Sequence, residues 1–518
     1  MDIFAQMKHF IVIDGGTQNV KAFVFDLNGN VISKSVFPVA PYFSVAPYFA
    51  EQDAEKYLAI VKKTVREAVK NSKLSFEDIS AISITTHRST IIPVDEKGKP
   101  VRAAITWLDE RKTEGLRLPY GASRLLVKLV GKEYMMKEYQ RRSKFNWMKK
   151  YEPENYERTY KFLTASSYIF SALTGEFKDS SAMIVGIFPI DLKHLTWYDF
   201  PFVYKALGVS KEKLPTLVSP VDIAGYVSKK GAEEFGLKEG LPVIIAAGDK
   251  QSELLAGGGI NSKIAEVSYG TAAVIEILTD RFVSHPHMDF FTWGSAIPEK
   301  WVLEGLVGGG YWMVSWFERE FARHELIEAK KLGISPETLL DREMSEIPPG
   351  SEGLVLQPYW FPFAFDPASR GAIIGFSAKH TRVHVYRAII EGIAFELKRV
   401  LEVIRNYSGF YPEILTVGGG GSESCEIMQI TSDIFNLPAR RMHTPYLSAL
   451  GAAIDAAVAM NIYSGFSEAL EKMSRVKDTF YPQKKAVKIY DALFRDVYKN
   501  IYPALRKLYH KTDKIVNG

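Results

Sequence analysis

IVIDGGTQNVKAFVFD, residues 11–26, reads as an apolar strand, a small-residue turn and a second strand, with no helix between them. Asn28-Gly29-Asn30 supplies the next turn and residues 31–37 resume an extended pattern, so the segment is a run of consecutive antiparallel strands. That layout excludes the commoner phosphate loops, whose glycines lie between a strand and a helix. No G-x-x-x-x-G-K-[ST] occurs in the chain. A second stretch, EVSYGTAAVIEIL at 266–278, repeats the layout with Gly270-Thr271 in place of Gly16-Thr17. Glycine lets the backbone approach an anion closely, and consecutive turn amides form an anion-binding concavity. Two such turns, one in each half of the chain, predict a phosphate gripped from two sides and a nucleotide in a cleft between related domains.

A chain of 518 residues exceeds one typical core and predicts two to four domains. Its 47% hydrophobic and 24% charged residues suit a soluble globular protein. The net charge of +5 comes from 65 basic and 60 acidic residues spread along the chain, which makes no case for nucleic acid or membrane as a partner. The lysine-rich stretches 484–488 and 507–514 read as solvated helix faces. Cys425 is the only cysteine, so no intrachain disulfide forms and a reducing cytosol is expected. Its place in a helical segment, 423–435, predicts a buried small hydrophobe. The opening MDIFAQMKHF lacks the apolar run of a signal peptide, and no run approaches the roughly 18 apolar residues of a membrane helix. The expected location is the cytoplasm. Oligomeric state is open, a homodimer being one option.

Along the chain, 53–71 reads as a helix with acidic residues at its start, where they suit the helix dipole. Strands are predicted at 79–85, 91–94 and 103–107, and a mainly helical region at 115–205 with Phe145, Trp147 and Met148 on an apolar face. A continuous apolar strand at 241–247 ends in Gly248-Asp249, and the domain change is placed near Gly257-Gly258-Gly259. The second half repeats the logic, with strands at 265–278 and 290–306, Gly308-Gly309-Gly310 opening a helix, and a strand at 353–357. A helix at 383–405 follows, then a strand at 414–417 running into Gly418-Gly419-Gly420-Gly421, and helices at 422–435 and 447–460. The tail from 485 reads as one helix with a core-packing stripe of Tyr490, Phe494, Tyr498 and Tyr502. VAPYF occurs twice, at 39–43 and 45–49, in a Pro-rich loop that either folds over a ligand or lies inert on the surface.

Several residues have two readings. Asp14 at the first turn can hold water on Mg²⁺, which prefers waters with one or two carboxylates, or can cap its own turn. Lys21 can reach phosphate oxygens or simply face solvent. Asp249 ends a strand and begins a helix, as either an N-cap or the base that accepts a substrate hydroxyl proton. The four glycines at 418–421 exceed the needs of a plain turn and suit a phosphate or the close approach of adenosine. His87-Arg88 follows one strand, and Trp107, Asp109 and Arg111 follow another. Such a group suits a polyhydroxylated ligand beside an aromatic wall, or else consists of solvated loop charges. No partner at metal-binding spacing accompanies His87.

With these residues in place the chain resembles the FGGY carbohydrate kinases of the actin, sugar-kinase and heat-shock-ATPase superfamily, from about Phe10 to Lys507. The first phosphate motif is similar at Asp14-Gly15-Gly16-Thr17, Lys21 and Phe25-Asp26, and the sugar-contact region at Thr86-His87-Arg88 and Trp107-Leu108-Asp109. A helical signature resembles 144–149 (KFNWMK), with Leu173-Thr174-Gly175-Glu176 further on. Gly248-Asp249 stands where the family carries its catalytic aspartate, and Tyr269-Gly270-Thr271 where it carries the second phosphate turn. Gly418-Gly419-Gly420 and residues 449–453 (ALGAA) match the adenosine-side segments.

The resemblance implies an α/β fold of two ribonuclease-H-like (actin-like ATPase) domains, each a mixed five-stranded sheet flanked by helices, with an interdomain cleft. The expected domains are 1–254, carrying the sugar site, first phosphate motif and catalytic Asp; 255–485, carrying adenosine and the second phosphate motif; and a C-terminal helix at 486–518. It further implies ATP and Mg²⁺, with γ-phosphoryl transfer to a hydroxyl of a small sugar or polyol. Asp249 would be the base, and Asp14 and Asp249 would support the metal. Gly16, Thr17, Gln18, Lys21, Gly270, Thr271, Gly310, Gly419, Gly420 and Ser422 would bind the nucleotide. His87, Arg88, Trp107, Asp109 and Lys250 would contact the acceptor.

Two departures bear on the acceptor. Residues 85–90 (TTHRST) resemble the glycerol-kinase T-N-Q-R-E-T segment but carry Ser89 in the acidic position, and Lys250 follows the catalytic Asp where glycerol kinases carry Gln. The xylulokinase-type Gln-Met-His-Gly segment is absent. Lys250 points either to an acid-bearing substrate or to a lysine turned to solvent. A glycerol-kinase-like enzyme with a variant pocket and a non-catalytic nucleotide sensor on the same fold are the competing functions. Retention of Asp14, Asp249 and both Gly-Thr turns opposes the sensor.

Overall fold

A computed structural model of the chain describes residues 9–39, 41–117, 125, 128–129, 133–285, 289–361 and 366–517. The first eight residues and most of the helical stretch expected over 118–132 lie outside them. By contacts the chain forms two units, and the division is not contiguous. The first comprises Met1–Ala256, Trp293–Lys300 and Ser448–Ser474, and the second Gly257–Thr292, Trp301–Leu447 and Arg475–Gly518.

The first unit is built on strands β1 (His9–Gly15), β2 (Asn19–Asp26), β3 (Val31–Pro38), β4 (Ile79–Thr86), β5 (Ile223–Tyr226) and β6 (Pro242–Ile245), in sheet order β5-β6-β4-β1-β2-β3. The strands β1, β2 and β3 form an antiparallel meander, whereas β4 and β6 run parallel to β1. The sequence HFIVIDG of β1 is apolar on both faces because it lies centrally and is covered on both sides. VISKSVFP in β3 alternates in burial, as an edge strand with one wet face does. Helix α1 (Ala54–Ser72) packs on β2 and β3 through Tyr57, Val61, Val65 and Ala68 at helical spacing. Asp53 caps it by accepting from the Lys56 amide at 3.0 Å. The late segment 448–474 belongs to this unit: Tyr463 donates to the Leu27 carbonyl, and Ser474 Oγ donates to the Ala256 carbonyl at 2.6 Å.

The second unit repeats the plan. Strands β7 (Ile264–Tyr269), β8 (Ala273–Thr279), β9 (Phe291–Gly294), β10 (Trp301–Val307), β11 (Ile414–Gly419), β12 (Ala439–Met442) and β13 (Val476–Phe480) lie in order β9-β10-β8-β7-β11-β12-β13. Again a three-stranded antiparallel meander (β7, β8, β10) is extended by two parallel strands (β11, β12). The expected five-stranded mixed core is therefore present in both sheets, and further edge strands make them six- and seven-stranded. Between β10 and β11 the 27-residue helix Arg382–Ser408 is buried along most of its length, including Ile389, Ile393, Leu397 and Val400.

The tail is not one regular helix. Lys484–Ala492 passes through a π-helical turn, Leu493–Tyr498, into Lys499–Asn517, and that last helix contains Pro503. Its aromatic stripe packs as expected, with Tyr490, Phe494 and Tyr498 around Phe395 at ring distances of 5.9, 5.9 and 5.2 Å. Cys425 corrects a second expectation. It is exposed at the first position of helix Cys425–Phe435, where Arg441 Nη2 donates to its sulfur at 3.6 Å. Residues 420–423 form a separate 3₁₀ turn, so the helix begins later than expected and its first residue faces out. Among the described residues no helix is long and apolar enough to cross a membrane.

Candidate active site

In the first unit the turn between β1 and β2 consists of Gly16, Thr17 and Gln18, of which Gln18 is exposed and the other two half-buried. Pairing of β1 with β2 sets Asp14 opposite Lys21, and Lys21 Nζ donates to Asp14 Oδ2 at 3.2 Å. That carboxylate raises the lysine pKa, holding the ammonium charged. Parallel pairing of β1 with β4 brings Thr86 beside Gly15 and delivers His87-Arg88 to the same strand ends. Trp107, 39% exposed, donates from Nε1 to Thr17 Oγ1 at 2.8 Å, so an aromatic wall stands against the first turn.

Asp249 is the first residue of helix Asp249–Ala256 rather than its cap, since the Gly248 carbonyl accepts the first helical bond from Ser252 N at 3.0 Å. Its carboxylate is 27% exposed and Oδ1 lies 3.9 Å from Arg88 Nε. Burial raises the Asp249 pKa, Lys250 and Arg88 oppose that rise, and Glu253 and Asp14 add to it. Asp14, Lys21, Arg88, Asp249, Lys250 and Glu253 thus form one interacting charged group. Lys250 is not turned to solvent: Nζ contacts both Glu253 carboxylate oxygens at 2.9 Å, and Ser448 Oγ donates to Glu253 Oε1 at 3.0 Å.

Two expected acceptor residues are committed elsewhere. His87 is buried, with Nδ1–H donating to the Gly15 carbonyl and Nε2 accepting from Thr90 Oγ1, both at 2.8 Å. Burial lowers its pKa, so the ring is a neutral brace under the first turn. The Asp109 side chain is fully covered and accepts from Ala50 N (2.8 Å), Arg111 Nε (2.8 Å) and Lys144 Nζ (2.9 Å). Arg111 also reaches Glu51 at 2.6 Å, and Glu51 pairs with Arg102. These residues are not solvated loop charges. They are a buried ion-pair network, of the kind in which removing one partner costs about 3–5 kcal/mol.

In the second unit Gly270, Thr271, Gly310, Gly419, Gly420 and Ser422 converge. The turn carbonyls of Gly270 and Thr271 accept from Tyr311 N at 2.9 Å and Trp312 N at 3.2 Å. A methyl group on Gly310 would lie 2.2 Å from the Ala273 nitrogen, so only glycine lets that turn seat there. Gly419, at φ 73° and ψ −177°, presses on the same turn, where a Cβ would lie 2.5 Å from the Tyr269 carbonyl oxygen. Gly420 faces open space, its nearest neighbour being the Tyr311 ring at 3.8 Å. Ser422 is buried and its hydroxyl donates to the Gly419 carbonyl at 2.8 Å.

This arrangement fits a nucleotide and a largely hydrated Mg²⁺. Gly420 is exposed beside the Tyr311 ring, so its backbone stays open to a ligand, and no cluster of three metal-ligating side chains occurs among the described residues. Mg²⁺ bound to phosphates keeps most of its waters and needs only one or two carboxylates, such as Asp14 and Asp249. Sequence reading missed Glu253 and the Glu51, Arg102 and Lys144 partners. Glu253 was detectable, because a helix beginning at 249 puts it three residues after Lys250 on the same face.

Residues 9–256 match the model of the FGGY family of carbohydrate kinases, N-terminal domain, and residues 265–460 match that of its C-terminal domain. The uncharacterized sugar kinase YgcE of Escherichia coli (strain K12) is 28% identical over 512 residues, covering 99% of this chain and 96% of that protein. The xylulose kinase of Bacillus subtilis (strain 168) is 27% identical over 511 residues, covering 97% and 98%. The solved ligand-bound xylulose kinase from Lactobacillus acidophilus superposes with a TM-score of 0.82 at 23% identity, over 98% of this chain and 100% of that one, a likeness of fold.

Proposed function

The chain belongs to the FGGY family of carbohydrate kinases and is an ATP-dependent kinase of a sugar or polyol, and we propose that Asp249 is its general base, with Arg88, Trp107 and Lys250 at the acceptor. An alcohol is a poor nucleophile, and a positioned carboxylate must take its proton as the O–P bond forms. The observation that carries this reading is the Asp249 carboxylate itself: partly open, at a strand end, beside Arg88 and with its basicity raised by burial. A carboxylate of higher pKa holds the transferred proton better, while Lys250 and Arg88 keep enough of it ionised to act.

In this reading Gly16, Thr17, Gln18 and Lys21 bind phosphate oxygens, as do Gly270 and Thr271. Gly310, Gly419, Gly420 and Ser422 receive the adenosine side. Mg²⁺, held through water by Asp14 and Asp249, would neutralise phosphate charge. Residues 1–254 then carry the acceptor site, the first phosphate motif and the base, and 255–485 the adenosine site and the second phosphate motif. His87 and Asp109 act one step back, bracing the first turn and the Trp107 loop. ATP as donor favours a cytoplasmic location. The B. subtilis relative bears the name xylulose kinase, so a ketopentose is the first acceptor to try.

Asp249→Asn tests the assignment. Acceptor-dependent ADP release should fall by about 10²–10⁴-fold, the usual worth of a general base, while ATP affinity by titration calorimetry stays within about threefold. An active Asn variant overturns it.

A further inference from the structure

The second unit carries four carboxylates that share one electrostatic environment. Glu318 comes from helix Trp312–Phe321, Glu337 and Asp341 from helix Pro336–Met344, and Glu426 from the first turn of helix Cys425–Phe435. Burial raises the pKa of Glu318 to about 7; Glu337 and Asp341 add to the rise and Arg319 opposes it. Burial also raises Asp341 to about 6, against the Ser424 and Tyr386 hydroxyls and with the help of Glu426 and Glu337. Tyr386 Oη donates to Asp341 Oδ1 at 2.9 Å. Glu318 differs from its neighbours. It is 7% exposed, and its Oε1 is fully covered with no hydrogen-bond partner among the described residues. A bare, buried acceptor of that kind is costly unless something bonds to it. Among the described residues no three acids stand so as to hold a metal ion, so the group is not a cation cage.

The helix that carries Glu318 starts on the second phosphate turn, because Tyr311 N and Trp312 N bond to the Gly270 and Thr271 carbonyls. The Tyr311 ring stands against Gly420, and its hydroxyl lies in the field of Glu337, Asp341 and Glu318. Glu318 follows Tyr311 by seven residues, which puts it on the same helix face about two turns, or about 10 Å, farther along the axis. A nucleotide with its phosphates on the turn and its sugar at Gly420 would extend its base along that face. An exocyclic amino group presents N–H donors only, which suits an acid with an unused acceptor among other acids; a ring carbonyl in its place would meet lone pairs.

Resting on the kinase reading with its nucleoside at Gly420, we infer that Glu318, with Glu337 and Asp341 around it, accepts from the 6-amino group of the donor base and is the residue that selects an aminopurine nucleotide. Tyr311 walls the approach to it. A base without that amino group leaves the acid buried and unpaired, the condition under which a site rejects an analogue most strongly.

The test is titration calorimetry on the full chain with Mg²⁺, comparing ATP with purine riboside 5′-triphosphate, which lacks the 6-amino group alone; no acceptor is needed. ATP should bind about 10–100-fold more tightly, the range for a hydrogen bond to a charged group. Glu318→Leu replaces a covered, unbonded acid by an apolar group of similar size, so the thermal midpoint should hold or rise while the preference collapses to within about threefold. Glu318→Gln keeps an acceptor without the charge and should cut the preference at least about threefold without abolishing it. A merely structural role for Glu318 would weaken both nucleotides alike and leave their ratio unmoved. Equal binding of the two nucleotides by the wild-type chain, or a wild-type ratio in the variants, overturns the proposal and leaves the kinase reading standing. If neither nucleotide binds, the kinase reading falls and takes the proposal with it.

Discussion

Gly419→Ala is expected to damage the second phosphate turn from behind. At φ 73° and ψ −177° the residue occupies a region open essentially to glycine alone, where an L-residue costs about 1–3 kcal/mol. The added methyl would also lie 2.5 Å from the Tyr269 oxygen, 2.6 Å from its carbonyl carbon and 3.0 Å from the Gly270 nitrogen. All three are backbone atoms, so no rotamer change relieves the contact and the turn itself must move. Overpacking of this kind adds about 1–3 kcal/mol. At about 2–4 °C per kcal/mol for a unit of this size, the thermal midpoint should drop by about 5–15 °C. KM for ATP should rise at least about tenfold by displacement of Gly270 and Thr271, while acceptor KM changes little. Gly420→Ala is the control. Its methyl meets nothing closer than the Tyr311 ring at 3.8 Å, so the midpoint should stay within about 2 °C, and any rise in KM for ATP reports a ligand approaching that face. Differential scanning fluorimetry and ATP-dependent kinetics on the two variants decide the matter. A Gly419→Ala protein with wild-type midpoint and wild-type KM for ATP would refute the reasoning.

Three further outcomes are expected. Because the Asp249 pKa is raised, kcat/KM for the acceptor should fall with decreasing pH through a limb set above the ordinary carboxylate range, as measured from about pH 4 to 9; a flat profile to the acid end would remove Asp249 from the role of base. Trp107→Phe keeps the ring but loses the 2.8 Å bond to Thr17, worth about 1 kcal/mol, so KM for ATP should rise several-fold with little change in midpoint, and identical kinetics would disconnect the wall from the turn. Asp179, fully buried on strand Lys178–Ser180 and bonded by Thr164, Ser166 Oγ (2.8 Å) and Ser180 N (2.9 Å), has its pKa pushed by burial up to about 7. The folded state then keeps a proton that the unfolded chain releases near pH 4, and the stability this contributes is lost as pH rises through about 7. Asp179→Asn mimics the protonated acid and should flatten that decline by up to about 4 kcal/mol between pH 4 and 8 in urea titrations; parallel curves for the two proteins would rule the titration out.

The two strand–turn–strand segments were legible because an apolar run followed directly by Gly-Thr and a second alternating run has few other solutions. Both sheets grew from them as expected. The edge strands Ile223–Tyr226 and Val476–Phe480 are four and five residues long, too short for alternation to declare itself. The internal partners of Asp109 and His87 escaped sequence reading for a different reason. A polar residue just after a strand looks the same whether it faces a ligand or a buried partner, and the partners here, Ala50 and Lys144 for Asp109 and Gly15 for His87, come from distant parts of the chain. Cys425 turned on a few residues of helix onset: the glycine turn delays the start, and Cys425 stands exposed at the first helical position. Lys250 was visible as an anomaly, yet only its pairing with Glu253 and Ser448 gave it a meaning.

Segment 448–474, which completes the first unit, is made long after residues up to 256. A ribosome therefore releases residues 1–256 long before their last packing partner emerges, and the nascent first unit must wait, with Leu27 and Ala256 lacking their eventual seals, while nearly two hundred intervening residues are translated. A frameshift or stop codon at position 447 would thus leave residues up to 256, translated long before it, without the segment that completes their unit.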